Sequence, residues 1–373
     1  MASDLVASPA TGPTAARPEP MAGSGGVWSA HDTTPGEIEA ALRELLKERH
    51  AQSASFVPAR VLNLVVVADR EWRGEVQNRL ERVGRYHASR TILCAVEPGR
   101  DQIDARATMI TADEDLEPGE LAVGHEEVVL DVGPSHLGHL ATIVDPLVVT
   151  DLATLVWSPH GHPEAVDSLL PLAQIVLIDS VGEPDPACAV ERAKQLAERA
   201  YIVDLAWLRS TPWRERVAAT FDPAQWRGEL DRISAVTARH RSDSAIAGLL
   251  FLGWLAERLG WEPRAMLSQD GDLQGIARAQ RRDVGLRLEP DETMNAPGLA
   301  GITIETASGM TLSLDRGPGG LTARRRDEGG AREWTVMGAS RGEFGILGEG
   351  IRQALLRDKN YGSALAVAER MVS

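Results

Sequence analysis

The sequence predicts an α/β chain in two parts: an N-terminal, mainly parallel, doubly wound α/β domain, then an α+β domain with an antiparallel meander sheet. Three observations lead there. At 373 residues the chain is longer than one compact core usually covers. Over the first half, β-branched apolar runs of buried-strand length alternate with segments of helical period. Over residues 276 to 337 the strand-like segments are instead separated by Ser308-Gly309, Gly317-Pro318-Gly319-Gly320 and Glu328-Gly329-Gly330, which is hairpin chemistry.

Residues 1 to 32 are rich in Ala, Pro, Ser, Thr and Gly without apolar period, so they are expected to be a disordered leader. Thr34-Pro35-Gly36-Glu37 has capping-box spacing with Pro at the first helical position, and Ile38, Leu42, Leu45 and Leu46 follow on one face, giving a helix to about His50. Val61-Leu62-Asn63-Leu64-Val65-Val66-Val67 is a buried strand, and Val76, Leu80 and Val83 mark the next helix. Strands are expected at 91–96, 105–111 and 127–132. A helix at 137–143, a strand at 153–157, a helix at 163–172, a strand at 174–179 and a helix over about 187–200 continue the alternation. The texture then changes: a strand near 231–240 and an apolar helix over 242–259 precede segments at 276–289, 301–306, 310–315, 321–326 and 332–337. One or two helices close the chain from Gly342 to Val372. The first domain is placed at 33–165, or to about 180 if the strand at 174–179 joins its sheet, and the second at 166–373.

Composition narrows the function. Lys plus Arg number 39 against 54 Asp plus Glu, a net charge of −15 that repels nucleic-acid phosphates and anionic membranes. Two cysteines, Cys94 and Cys188, supply no zinc clip or disulfide framework and fit a reducing cytoplasm. The apolar run Ala245 to Ala256 falls short of the roughly 20 residues of a membrane span. The N-terminus has no signal-peptide pattern. Among the aromatics, Trp dominates with 9 against 4 Phe and 3 Tyr, and Trp207, Trp213, Trp226, Trp254 and Trp261 gather around the expected domain boundary.

The loops after the parallel strands are where a doubly wound enzyme shows its chemistry. They contain neither G-x-x-x-x-G-K-[ST] nor a G-x-G-x-x-G after the first strand, where Asp69-Arg70-Glu71-Trp72 stands instead. Gly342, Gly345, Gly348 and Gly350 read as a loop and helix entry. His136, His139, His160 and His162 could converge on a metal with Asp131 or Glu164, although solvated loop histidines are the plainer reading. Cys94 reads as an inert buried thiol, whereas Cys188 near a helix N-terminus is placed for a lowered pKa. Arg278, Arg281, Arg282 and Arg324-Arg325-Arg326 form either a solvated face or a local positive patch for an acidic partner or phosphorylated metabolite.

The most distinctive stretch is Val203-Asp204-Leu205-Ala206-Trp207-Leu208-Arg209-Ser210-Thr211-Pro212-Trp213-Arg214-Glu215. Thr211 is positioned to cap a helix starting at Pro212, which would leave Trp213 and Arg214 exposed in its first turn. Two Trp and two Arg so close together suit either an interface hot spot or an interdomain packing core. Together with Leu62-Asn63-Leu64-Val65-Val66, His87-Ala88-Ser89-Arg90, Asp145-Pro146-Leu147-Val148-Val149-Thr150-Asp151-Leu152 and Asp179-Ser180, this stretch resembles the glucose-6-phosphate dehydrogenase assembly protein (OpcA) family. The resemblance runs from about residue 35 to the C-terminus, weakening through the meander.

That resemblance implies a non-catalytic, cytoplasmic assembly factor and allosteric activator whose partner is glucose-6-phosphate dehydrogenase, supporting NADPH production in the oxidative pentose phosphate pathway. It implies no catalytic, cofactor or metal residues, and Asp204, Trp207, Arg209, Trp213 and Arg214 become the candidate partner-binding set. The thiol control associated with the family's cyanobacterial branch is not expected here, because no cysteine follows Cys188 and Cys94 and Cys188 lie on different elements. The alternative is a sugar-phosphate-handling enzyme or metabolite-binding regulator using the histidine loops of the first domain.

Overall fold

The computed structural model describes residues 21–23, 26–52, 56–58, 60–84, 89–111, 122–280, 282–317, 319–337 and 342–373. The first part comprises, in chain order, β1 (Met21–Gly23), β2 (Val27–Ala30), α1 (Pro35–Gln52), β3 (Phe56–Pro58), β4 (Leu62–Asp69), α2 (Arg73–Gly84), β5 (Ser89–Val96), β6 (Asp104–Thr111), β7 (Ala122–Val132), α3 (Leu140–Val144), β8 (Thr154–Trp157), α4 (Pro163–Leu169), β9 (Ile175–Ile178), α5 (Pro186–Ala197) and β10 (Tyr201–Asp204). The strands form one sheet in the order β1-β2-β6-β7-β5-β4-β8-β9-β10, with β3 beside β7. From β7 to β10 every neighbour is parallel.

Buried positions run unbroken along most of β4 and β5 and all of β8, because helices cover both faces of the parallel region. Asn63 is the exception that ties the sheet to its loop: it sits fully buried on β4, where Nδ2 donates to Val149 O (2.9 Å) and Thr154 Oγ1 (3.2 Å), while Oδ1 accepts from Val149 N (2.9 Å). Buried Glu126 on β7 is similarly matched, accepting from Arg60 Nε at 2.9 Å and Arg90 Nε at 2.6 Å.

The second part contains α6 (Leu205–Arg209), α7 (Thr211–Phe221), α8 (Ala224–Leu230), β11 (Ile233–Arg241), α9 (Ala245–Leu259), β12 (Glu262–Pro263), β13 (Leu267–Gln269), β14 (Asp272–Arg278), β15 (Asp283–Asp291), β16 (Leu299–Thr306), β17 (Thr311–Gly317), β18 (Gly320–Asp327), β19 (Gly330–Met337), α10 (Gly342–Leu356) and α11 (Asn360–Val372). Its sheet runs β12-β14-β15-β11-β16-β17-β18-β19, with β13 on β14. All pairs are antiparallel except β11 with β15. The glycines expected to turn the meander do so, with positive φ at Gly309, Gly319 and Gly330. Helix α9 is apolar nearly all round because the sheet lies on one side and α11 and α5 on others.

Where α9 meets α11 the backbones nearly touch. A Cβ on Gly253 would lie 2.4 Å from Ala364 O, so Gly253→Ala must push the two helices apart. We expect it to destabilise the chain by about 1–3 kcal/mol, read from denaturant unfolding. A cost near zero would mean that the helices are not so closely apposed.

Several sequence expectations change. β1 and β2 lie within the stretch expected as a disordered leader, and β2 pairs with β6. Residues 1–20, 24 and 25 of that stretch lie outside the described residues, as do residues 87 and 88 of the block at 87–90 and Arg281. The parallel sheet continues through β9 and β10 to Asp204, beyond the boundaries at 165 or 180, and β10 was not anticipated as a strand. The C-terminal helices return to it: Gly350 of α10 packs on Leu177, Leu205 and Leu208. The segment expected at 276–289 is a hairpin of β14 and β15. Thr211 belongs to α7 rather than capping it, and the preceding Ser210 gives its hydroxyl to Trp207 O at 2.7 Å. Among the described residues, no helix is long and apolar enough to cross a membrane.

Candidate functional site

Numbering the six parallel strands β4, β5, β7, β8, β9 and β10 in chain order gives the spatial order 3-2-1-4-5-6, which reverses between β4 and β8. A sheet wound this way opens a crevice at that reversal, beyond the strand C-termini. Here β4 runs into a short 3₁₀ turn, Arg70–Trp72, before α2. No glycine stands in that turn to let a phosphate approach the backbone. The chain's own side chains meet there instead. His162, in a left-handed conformation after β8, brings Nε2 to 3.1 Å from Asp69 Oδ1, and the His160 ring lies 5.3 Å from that of Trp72.

Glu97 follows the second parallel strand, where a dinucleotide site holds its ribose carboxylate. In this chain it accepts from Arg100 Nε (2.6 Å) and pairs with Arg70. Those guanidiniums, Arg100 foremost, hold its carboxyl below the usual range.

The structure divides the four candidate histidines. His136 and His139 share the turn after β7, with rings 5.8 Å apart, and His136 turns Nδ1 back toward the Gly133 amide (3.1 Å). His160 and His162 belong to the loop after β8. Asp131 pairs with Arg73 at 3.3 Å. Among the described residues no group of three or more His, Cys, Asp or Glu is arranged to hold a metal.

The Asp204–Arg214 stretch is brought together, but as interior. Asp204 is 1% exposed and accepts from Ser180 Oγ (2.7 Å), Ser180 N (3.2 Å), Ala206 N (2.9 Å) and Tyr361 Oη (3.1 Å). Burial outweighs these donors and pushes its carboxyl up to about 6. Trp207 donates Nε1 to Asp358 Oδ2 (2.8 Å), and the Arg214 guanidinium lies 3.4 Å from its ring centroid. Arg209 makes a bidentate fork to Asp179 at 2.8 and 2.7 Å. Arg214 donates Nε to Ser210 Oγ (3.1 Å) and Nη2 to Thr211 Oγ1 (2.9 Å), and burial lowers its pKa to about 10.

Trp213 is 2% and Arg214 8% exposed, so the expected exposure of the first turn of α7 is corrected. The reason is local. Arg214 reaches back across the α6–α7 turn to the face of Trp207, which rolls the start of α7 inward. This junction joins β10 to α11 through Asp204 and Tyr361, and α6 to the residues just before α11 through Trp207 and Asp358, partners too distant in sequence to form a motif.

A cavity of about 460 Å³ opens beside it, between the ends of β8–β10 and residues following β11. Its charged lining, Arg79, Asp179, Arg209, Arg241 and Asp243 with His160, was not anticipated as one site, since no spacing joins these residues.

The remaining candidates resolve simply. Arg278 pairs with Asp283 (3.2 Å), Arg324 with Glu333 (2.7 Å) and Arg325 with Asp327 (3.1 Å), and Arg325 also stacks 3.8 Å over Trp226. Arg282 donates to Arg232 O at 3.0 Å. Cys94 is fully buried, and burial pushes its thiol up to about 12. The Cys188 thiol is raised rather than lowered, because the carboxylate of Asp185 lies 3.6 Å from Sγ at the same helix end.

Two family models match the chain in order: the glucose-6-phosphate dehydrogenase subunit N-terminal domain over residues 80–195 and the corresponding C-terminal domain over 200–365. They meet just before β10. Among curated relatives, the OpcA protein of Synechococcus elongatus is 27% identical over 183 residues, 48% of this chain and 40% of that protein. The Nostoc punctiforme OpcA protein is 28% identical over 151 residues, 39% of this chain and 32% of its own length. The chain thus spans less than half the length of either relative. Among solved structures, a 3-ketoreductase of Actinomadura kijaniata covers 83% of this chain and 95% of its own at 14% identity and a TM-score of 0.48, too low to carry an argument. On the two domain models and these relatives, the chain belongs to the OpcA family of glucose-6-phosphate dehydrogenase assembly proteins.

Proposed function

We propose that this chain is a non-catalytic partner of glucose-6-phosphate dehydrogenase, acting in the cytoplasm to favour the enzyme's active oligomer and so support NADPH production. The observation that carries the reading is the ordered match to both subunit domains of that family. The switch-point crevice is consistent with it, since Asp69, Trp72, His160 and His162 occupy the place of a phosphate-cradling turn. An activator of this kind works only through differential affinity. Binding the active oligomer tenfold more tightly than the inactive one shifts the equilibrium tenfold, about 1.4 kcal/mol. With a net charge of −15, a neutral or basic surface on the dehydrogenase is the complementary one. Asp204, Trp207, Arg209, Trp213 and Arg214 would then serve the interface from inside, by fixing the junction that shapes the surface around it.

The test is to titrate the full chain into purified cognate dehydrogenase while following particle mass and initial rate. Both are expected to rise together and saturate. Unchanged mass and rate at saturating chain would overturn the proposal, and turnover of a phosphosugar by the chain alone would overturn its non-catalytic part.

A further inference from the structure

The cavity beside the junction has the position, size and lining of a small-molecule site. It lies beyond the C-terminal ends of β8, β9 and β10, the edge of an open α/β sheet where ligands bind. Its volume of about 460 Å³ falls within the range of small-molecule pockets. Residues of both sheets contribute, so an occupant would touch both.

The lining keeps hydrogen-bonding capacity in hand. Arg241 donates Nε to Asp243 (2.6 Å) and Nη1 to Asn295 O (3.1 Å), which leaves Nη2 without a bond among the described residues. Arg79 uses Nη2 alone, toward Glu75. Neither ring nitrogen of His160 is hydrogen-bonded among the described residues, and Nδ1 is sealed from solvent. Desolvation holds that imidazole below its ordinary pKa, which favours the uncharged ring, and with Nδ1 sealed only Nε2 is left to meet an occupant. Asp179 is braced by its fork with Arg209, but a carboxylate has lone pairs beyond the two that the fork occupies. Each guanidinium has a carboxylate partner, Arg79 in Glu75, Arg209 in Asp179 and Arg241 in Asp243, but Arg79 and Arg241 keep N–H groups unbonded among the described residues, which suits a ligand with anionic oxygens at one end and hydroxyls along the rest.

We infer that this cavity binds a small polyhydroxylated anion, a monophosphorylated or carboxylated sugar. Arg79 and Arg241 donate to its charged group, while Asp179, Asp243 and His160 engage its hydroxyls. Because the ligand contacts both sheets, binding stabilises their junction by mass action.

The experiment uses the full chain without any dehydrogenase, so its failure is separable from failure of the assembly role. Calorimetric titration and thermal unfolding are run with glucose 6-phosphate, gluconate, glucose and inorganic phosphate, each to about 10 mM. Glucose 6-phosphate or gluconate is expected to bind and raise Tm, and which of them binds assigns the anionic group. Glucose and inorganic phosphate should bind at least about tenfold more weakly, and Arg241→Gln should weaken the productive ligand by a similar factor. Arg79→Gln on the surface of α2 provides the same test should Arg241→Gln fold poorly. The inference is overturned if neither hydroxylated anion binds, if inorganic phosphate binds as tightly as the sugar anion, or if both arginine variants bind like wild type.

Discussion

Trp213→Ala is expected to destabilise the chain by about 3–5 kcal/mol, the cost of emptying a large aromatic site in a packed interior. Trp213 is 2% exposed and begins a buried stripe that Val217 and Phe221 continue at i+4 and i+8 along α7. The junction around it is tied by directional contacts: Arg214 on the face of Trp207, Trp207 to Asp358, and Tyr361 to Asp204. Such a site cannot collapse freely. Against a total stability of about 5–15 kcal/mol, the loss would be seen as a lower denaturant midpoint with a Tm drop on the order of 10 °C. Trp72 is the control, 43% exposed in the turn before α2, and its alanine variant should stay within about 1 kcal/mol of wild type. If Trp213→Ala instead kept the wild-type midpoint while losing dehydrogenase activation, the residue would be a surface contact and the packing described here would be wrong.

The contrast between these two tryptophans shows where sequence reading reached and where it stopped. β4, β5 and β8 were legible because strands buried on both faces are written as continuous apolar runs. β10 is four residues ending in Asp and followed at once by α6, so it has neither length nor period to announce it; its order comes from pairing with β9. β2 likewise lies in a Gly- and Ser-rich stretch and is held by β6, far along the chain. For α7, Pro212 located the helix start, but the direction its first turn faces depends on Arg214 meeting Trp207 seven residues earlier, across another helix. At Cys188 the helix end was readable and the neighbouring Asp185 was in plain view, yet the two act in opposite directions and geometry decides that the carboxylate prevails. The cavity was least legible of all. Arg79 and Arg241 come together only through the packing of two sheets.

Asp204 should give the second large effect, and its size depends on pH. Asp204→Ala would leave the Ser180 amide and hydroxyl, the Ala206 amide and the Tyr361 hydroxyl without their acceptor, at about 1–3 kcal/mol for each donor that finds no substitute. Asp204→Asn keeps the shape and removes the titration, so the difference in stability between wild type and this variant isolates the proton. In the folded chain burial raises the carboxyl to about 6, against about 3.9 for an unfolded Asp. The folded state therefore binds the proton more tightly. The stabilising contribution is complete below about pH 4, declines as pH rises and is gone above about pH 6, a swing of roughly 3 kcal/mol. Buried Glu126 behaves oppositely. Burial alone would raise its carboxyl, but Arg90 and Arg60 hold it below the usual range, so its support is present near neutrality and fades as acid protonates it. Because both chains share Glu126, its effect cancels in the comparison. Relative to wild type, Asp204→Asn should thus gain stability as pH rises from 4 to 7, measured by denaturant unfolding at each pH. A flat difference across that window would show that the four donors hold Asp204 near its ordinary pKa. Its bond to Tyr361 would then join β10 to α11 equally well at either pH.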